Sequence, residues 1–252
     1  MHRFFLTGAM TEGDCLPLAT SDVHHLRDVL RLEAGAQIAV VEPSGDAFEV
    51  RLISVGADGC ARVEVVRRLL RPDVPRVWLV QGLAKGEKID QVVRQATELG
   101  IERIVLLVSE RSVVRLDARK AADRVARWRR IAGEAAKQSQ QVRVPLVEEL
   151  TDVASLREVL AACELVLLAW EDADGAPSIG DAVGAAGLDG TDAVAVIVGP
   201  EGGFTSQEVA VMVAAGARVV SLGPAVLRTE TAGVVVPALV LAARGGLGGS
   251  DR

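Results

Sequence analysis

The chain has 252 residues, half of them hydrophobic, and a formal net charge of −6, enough for one large domain or two modest ones around a real core. Its longest apolar stretch, Ala232 to Ala243, is too short to span a bilayer and nothing of signal-peptide type opens it, so the expectation is a cytoplasmic protein. Three widely spaced cysteines, Cys15, Cys60 and Cys163, fit a reduced compartment better than a disulfide framework and follow no metal-ligand pattern, so no metal is expected.

Residues 1–72 read as a small β-rich module. A helix is expected from Asp22 to Leu32, with Ser21 as its N-cap and Gly35 beyond its end. Ile38–Val41 and Phe48–Ile53 flank a hairpin turn at Ser44-Gly45-Asp46, and a further strand is expected from Cys60 to Val66. Several short strands with one helix suit a small barrel. The prolines of Arg71-Pro72-Asp73-Val74-Pro75 mark a linker to a second domain over 73–252.

From Arg76 onward strands and helices alternate, which predicts an α/β fold with a parallel sheet and helices on both faces. Strands are expected at Val77–Leu83, Ile104–Val108, Leu165–Ala169, Val194–Val198 and Val219–Leu222. A helix from Glu87 to Leu99 places Ile89, Val92, Val93, Ala96 and Leu99 on one face, and Gly100 closes it. A second helix, Asp117 to Gln138, aligns Lys120, Arg124 and Arg127 in a cationic stripe opposite Val125, Trp128 and Ala132. That stripe reads equally as a phosphate contact or as a solvated face. The last helix, Thr231 to Ala243, is apolar almost all round and must be buried; the glycine-rich stretch Gly245 to Gly249 after it reads as a frayed tail.

The charge is unevenly spread. Residues 1–72 carry 8 cations against 10 anions, residues 73–145 carry 15 against 9, and residues 146–252 carry 5 against 15. A basic middle provides a nucleic-acid face although the total is acidic, and an acidic end suits a cationic ligand; both blocks also serve solubility. With aromatics at 3 % and no Tyr, nucleic-acid binding would rest on backbone and shape more than on base stacking.

Two stretches carry the chemistry. Val198-Gly199-Pro200-Glu201-Gly202-Gly203-Phe204-Thr205 and Leu222-Gly223-Pro224-Ala225-Val226-Leu227-Arg228-Thr229-Glu230-Thr231-Ala232 each follow an apolar strand and lead into a helix. Such turns lie at the carboxyl edge of a parallel sheet, where ligands bind. Neither has the spacing of a P-loop or of a dinucleotide fingerprint, so the expected ligand is not a pyrophosphate.

These stretches, with Glu208, resemble the C-terminal motifs of the knotted SPOUT methyltransferases, and most of all the RsmE family, which methylates N3 of a uridine in small-subunit ribosomal RNA. The resemblance spans nearly the whole chain and includes Arg3-Phe4-Phe5, His24 to Arg31, Lys85-Gly86, Glu98-Leu99-Gly100, Ser109-Glu110-Arg111-Ser112 and Ala135-Ala136-Lys137-Gln138-Ser139. The family usually continues the last of these with Gly-Arg. Here Gln140-Gln141 follows, with Arg143 nearby.

The resemblance implies a PUA-like RNA-binding β-barrel over 1–72, a methyltransferase domain with a deep trefoil knot over 73–252, and a homodimer. It implies S-adenosyl-L-methionine held by Leu168, Ala169, Trp170, Val198, Gly199, Pro200, Glu201, Gly202, Gly203, Leu222, Gly223, Val226, Leu227, Arg228, Thr231 and Ala232. The RNA partner, small-subunit ribosomal RNA free or within the assembled 30S particle, is expected at Arg3, Arg27, Arg31, Lys85, Lys88, Arg111, Lys120, Arg124, Arg127, Lys137 and Gln138. Uridine N3 attacks only as its proton leaves, so the reaction needs a proton acceptor or a cation beside the forming anion. Glu230 suits acceptance of the proton or orientation of the base, and Arg228 suits anion stabilisation. For Glu201 a helix-capping role competes with ligand binding. His24 and His25 read as surface or packing residues. An enzyme of this fold acting on a ribose 2′-hydroxyl or another base, and a non-catalytic RNA-binding assembly factor, remain as alternatives.

Overall fold

The turn expected at Ser44-Gly45-Asp46 forms with Gly45 at φ +83°, and it joins β2 (Gln37–Val41) to β3 (Ala47–Val55) in antiparallel register, Val41 opposite Ala47. The computed structural model describes residues 2–11, 15–56, 60–69, 74–112 and 117–248. Two units divide the chain: Met1–Pro72 with Ala136–Val144, and Asp73–Ala135 with Pro145–Arg252. Of the expected linker, Arg71, Pro72 and Asp73 lie outside the described residues, as does Gly249 of the expected tail.

In the first unit β1 (Arg3–Phe5) pairs parallel with β2, and β4 (Ala61–Leu69) pairs antiparallel with β3, giving a four-stranded sheet in the order β1-β2-β3-β4. Residues 15–18 reach both outer strands: Thr7 donates to the Pro17 carbonyl beside β1, and Leu16 donates to the Ala61 carbonyl of β4. Phe4, Leu26, Ile38, Val40, Val50, Leu52 and Val63 pack as one apolar core. The same approach joins Cys15 to Cys60, S–S 2.15 Å with Cα atoms 5.2 Å apart. This corrects the expectation that no disulfide forms: Cys15 bridges Arg62, so two cysteines 45 residues apart lie side by side. Cys163 keeps its thiol, whose pKa burial pushes up to about 12.

The first helix also departs from expectation. α1 (Thr20–His24) begins before Ser21, because the amides of Asp22 and Val23 both reach the Ala19 carbonyl, and Ser21 therefore caps nothing. It continues as a wider π-helical turn, His25–Val29, and Arg31 ends it at φ +49°. Asp22 is buried and pairs with Lys137 Nζ at 2.5 Å, while Arg3 donates to the Gln140 carbonyl and to that of Gln141 at 2.7 Å. These bonds hold Ala136–Val144 in the first unit. Gln140 sits at φ +54°, a left-handed conformation that glycine adopts without strain and that a side chain adopts less often.

The second unit is a six-stranded sheet in the order β10-β8-β9-β5-β6-β7, every neighbouring pair parallel. Its strands are β5 (Arg76–Gly82), β6 (Arg103–Val108), β7 (Leu146–Asp152), β8 (Leu165–Ala169), β9 (Ala193–Val198) and β10 (Arg218–Val220). Helices α2 (Lys88–Glu98), α3 (Ala118–Gln138), α4 (Leu156–Leu160), α5 (Ile179–Gly184), α6 (Ser206–Ala214) and α7 (Thr229–Ala243) complete the order. Strands buried on both faces confirm the α/β reading: Trp78, Val80, Val105 and Leu107 pack with α4 and α6, while the alternate residues Val77, Leu79, Ile104 and Leu106 are equally buried. α7 lies against α2, β5 and β9. Pro237 inside α7 leaves the Gly233 carbonyl without its helical donor. β7, α4 and α5 had no expectation from sequence. Among the described residues no helix is long and apolar enough to cross a membrane.

Candidate active site

Strand order puts the three expected binding segments side by side. Val220, Ala169 and Val198 stand in one row across β10, β8 and β9, with Gln81 of β5 next to Val198. The loops that leave this row are Trp170–Ser178, Gly199–Thr205 and Ser221–Arg228.

The Gly199–Thr205 loop is fastened from several directions. A Cβ on Gly82, the last residue of β5, would lie 2.4 Å from the Pro200 nitrogen, so only glycine lets the loop settle on that strand end. Thr229 Oγ1 donates to the Gly199 carbonyl (2.5 Å) and accepts from Nε2 of the fully buried Gln81 (2.9 Å). Glu201 accepts from the Lys85 amide and pairs with Lys88 Nζ, both at 3.1 Å. Arg111 Nη1 donates to the Gly202 carbonyl at 3.1 Å and to that of Phe204 at 3.5 Å. Gly203 takes φ +66°, and Thr205 with Glu208 forms a capping box at the start of α6. Glu201 therefore does not cap α6; Thr205 does, and Glu201 ties the loop to the start of α2.

Among the described residues the Ser221–Arg228 loop is held mainly at its ends, with the Gly223 amide donating to Ser221 Oγ at 3.2 Å. Ser221 donates to the Pro177 carbonyl, and the amides of Thr231 and Ala232 reach the Arg228 carbonyl, which opens α7. Between them Gly223 takes φ +87° with nothing within 4 Å of a built Cβ, and Val226 is 83 % exposed. Leu222 and Leu227 are half-buried.

Lys88 lies between two carboxylates, 3.1 Å from Glu201 and 3.2 Å from Glu230. Hydrogen bonding to Glu201 and then to Glu230 raises its pKa. Burial works against the Glu201 carboxylate, but its own amide, the Lys85 amide and Lys88 bring its pKa below the usual value. The Glu230 pKa is lowered too, first by its own amide and then, against burial, by Lys88. Glu230 is thus a standing anion at neutral pH beside the exposed Arg228.

Of the expected cofactor residues, Leu168, Ala169 and Val198 are buried strand residues and Trp170 is half-buried, its indole nitrogen buried without a hydrogen-bond partner among the described residues. The expected RNA cations are mostly engaged. Arg27 pairs with Asp28, whose pKa it brings to about 2; Lys120 pairs with Asp117, Arg127 with Asp90, Lys137 with Asp22, and Lys88 and Arg111 hold the Gly199–Thr205 loop. The side chains of Arg31 and Lys85, which are exposed, and of the half-buried Arg124 pair with no carboxylate among the described residues, and Gln138 is exposed at the end of α3. Sequence reasoning missed Gln81, Gly82 and Glu171 altogether. A Gln-Gly pair closing an otherwise apolar strand was the available signal for the first two; nothing pointed to Glu171, whose carboxylate reaches the space where a Gly203 Cβ would stand.

Residues 72–241 match the model of the RNA methyltransferase domain. The ribosomal RNA small subunit methyltransferase E of Bacillus subtilis is 30% identical over 92% of this chain and 93% of its own length. That of Mycobacterium bovis is 33% identical over 84% and 80%. A crystal structure of a ribosomal RNA small subunit methyltransferase E from Neisseria gonorrhoeae, bound to S-adenosyl methionine, superposes with a TM-score of 0.77, 30% identity and 98% of each chain covered. The chain belongs to the RNA methyltransferase family, and within it to the ribosomal RNA small subunit methyltransferase E group.

Proposed function

We propose that this protein methylates uridine N3 of small-subunit ribosomal RNA with S-adenosyl-L-methionine, in the cytoplasm. The observation that carries the reading is the row Val220–Ala169–Val198, from which three loops leave one sheet edge. The residues present fit the cofactor: Gly223 at positive φ leaves backbone clear of side chains, the Glu171 carboxylate lies against Gly203, and further acidic groups surround the edge. Trp170, Gly199–Gly203 and Leu222–Leu227 would hold it, and when bound it supplies an electrophilic methyl group on a sulfonium.

The chain's own contribution is positioning and charge. Arg228, exposed at the start of α7, stabilises the uridine anion as N3 loses its proton. Glu230, with its lowered pKa, is a weak base, which favours orientation of the uracil over full proton acceptance. Residues 1–72 act as a PUA-like RNA-binding domain; the approach of residues 15–18 to both outer strands supports a barrel. Residues 73–252 act as the methyltransferase domain, and the return of α7 to β5 and α2 supports a knotted path. The apolar α7, with Leu239 exposed, supports a homodimer.

Mass spectrometry of ribosomal nucleosides from cells lacking the protein tests the reaction. Loss of 3-methyluridine is the expected result. Loss of a 2′-O-methyl nucleoside, or no loss, overturns it. For the roles, Arg228→Ala and Glu230→Gln should both lower the single-turnover rate with little change in cofactor affinity. A Glu230→Gln variant that recovers as pH rises would restore this residue as the proton acceptor.

A further inference from the structure

The turn Ser109-Glu110-Arg111-Ser112 follows β6 and is built as a rigid unit. Ser109 and Ser112 are both buried; their hydroxyls lie 3.0 Å apart, the Ser109 amide donates to Ser112 Oγ at 3.0 Å, and the Ser112 amide donates back to the Ser109 carbonyl at 3.0 Å. Two of the turn's outward groups, the Glu110 amide and Arg111 Nη1, reach the Gly199–Thr205 loop and its capping box. The Glu110 amide donates to Glu208 Oε1 at 2.7 Å, and the other oxygen of that carboxylate accepts from the Thr205 amide at 2.9 Å. Arg111 Nη1 donates to the carbonyls of Gly202 and Phe204. The main chains also touch: a Cβ on Gly202 would stand 3.2 Å from the Arg111 carbonyl and 3.1 Å from Arg111 Cβ.

We propose that this turn is a brace for the Gly199–Thr205 loop and that Arg111 is a positioning residue for the cofactor, not an RNA contact. The inference rests on the reading that this loop holds S-adenosyl-L-methionine. Arg111 fixes the Gly202 carbonyl from one side, while the Gly203 amide is fixed from the other by the Pro200 carbonyl at 3.0 Å. Because the peptide unit is planar, holding both groups sets the Gly202–Gly203 plane before any ligand arrives. A loop already in its bound shape binds more tightly because little ordering remains to be done. The guanidinium that supplies this order commits its Nη1 to two backbone carbonyls, which removes that nitrogen from any fork offered to a phosphate.

The test is calorimetry with S-adenosyl-L-methionine on the full chain carrying Arg111→Ala or Arg111→Lys, beside anisotropy with a small-subunit ribosomal RNA fragment. Arg111→Ala should weaken cofactor binding about 10-fold, the scale of one charge-assisted hydrogen bond. Arg111→Lys, which keeps one donor to reach a carbonyl, should recover part of that loss. In steady state the cofactor KM should rise by a larger factor than kcat falls. RNA affinity and its salt dependence should match the parent. Unchanged cofactor affinity in both variants overturns the proposal, and so does weaker RNA binding with a salt slope reduced by about one. A parent protein that binds no cofactor would instead sink the reading beneath it.

Discussion

The two glycine loops at the sheet edge look alike in sequence and are built differently. Gly199–Thr205 rests on Gly82, is bonded through Thr229, Lys85, Lys88 and Arg111, and buries Phe204. Ser221–Arg228 is tied at its ends and leaves Gly223 to Val226 exposed. The first loop is a finished surface whose shape owes nothing to a ligand. The second has few bonds of its own among the described residues, the Gly223 amide to Ser221 Oγ at 3.2 Å being one. The edge therefore pairs a fixed wall with an adaptable one.

Damage to the fixed wall should be felt in the fold itself. Gly82→Ala forces a methyl against the Pro200 nitrogen, and should cost about 3 kcal/mol in chemical denaturation, the upper range for overpacking. A loss under about 1 kcal/mol would mean the first loop shifts as easily as the second. Thr229→Val leaves the buried Gln81 amide without its Thr229 partner and frees the Gly199 carbonyl, for an expected loss of about 2 kcal/mol by the same measurement. The adaptable wall should behave oppositely. Gly223→Ala meets no atoms and carries only the strain of its positive φ, about 1 kcal/mol or less in stability, while calorimetry should show a larger loss in cofactor affinity. An equal loss in both would erase the distinction.

The smallest effect is electrostatic. Glu201 and Glu230 have lowered pKa values in the folded state, so their contribution is present at neutral pH and is lost as pH falls through those values. Lys88→Met should lower the melting temperature modestly near pH 7, and the gap from the parent should close below about pH 4, where carboxylates protonate. A gap that persists at low pH would assign Lys88 a packing role in place of the link between the two walls.

Much of this edge was legible because it depends on local signals. Apolar runs marked β8, β9 and β10, glycines marked the turns, and strand adjacency followed from a parallel sheet. What stayed hidden depends on distant partners. Arg111 and Lys88 read as RNA cations because nothing local tells a phosphate contact from a guanidinium spent on Gly202 or an ammonium held by Glu201. Gln81 gained meaning only when Thr229, far along the chain, arrived beside it. Cys15 and Cys60 looked too far apart to join, since strand pairing and not spacing brings them together. The Ser21 cap failed because Ala19 supplies the carbonyl that starts α1.

The pairing of β5 with β9 also governs when the protein can fold. Arg76 lies opposite Ala193 and Gln81 opposite Val198, so the central strand receives its second neighbour more than a hundred residues after it leaves the ribosome. Until then Val77-Trp78-Leu79-Val80 presents an open, wholly apolar edge, the kind of segment that aggregates or recruits chaperones. Pairings of such long reach slow folding, because the entropy of closing the loop is lost before any contact compensates. The sheet edge that carries the two loops is therefore among the last parts of the chain to exist, and a chain truncated before Ala193 would lack it entirely.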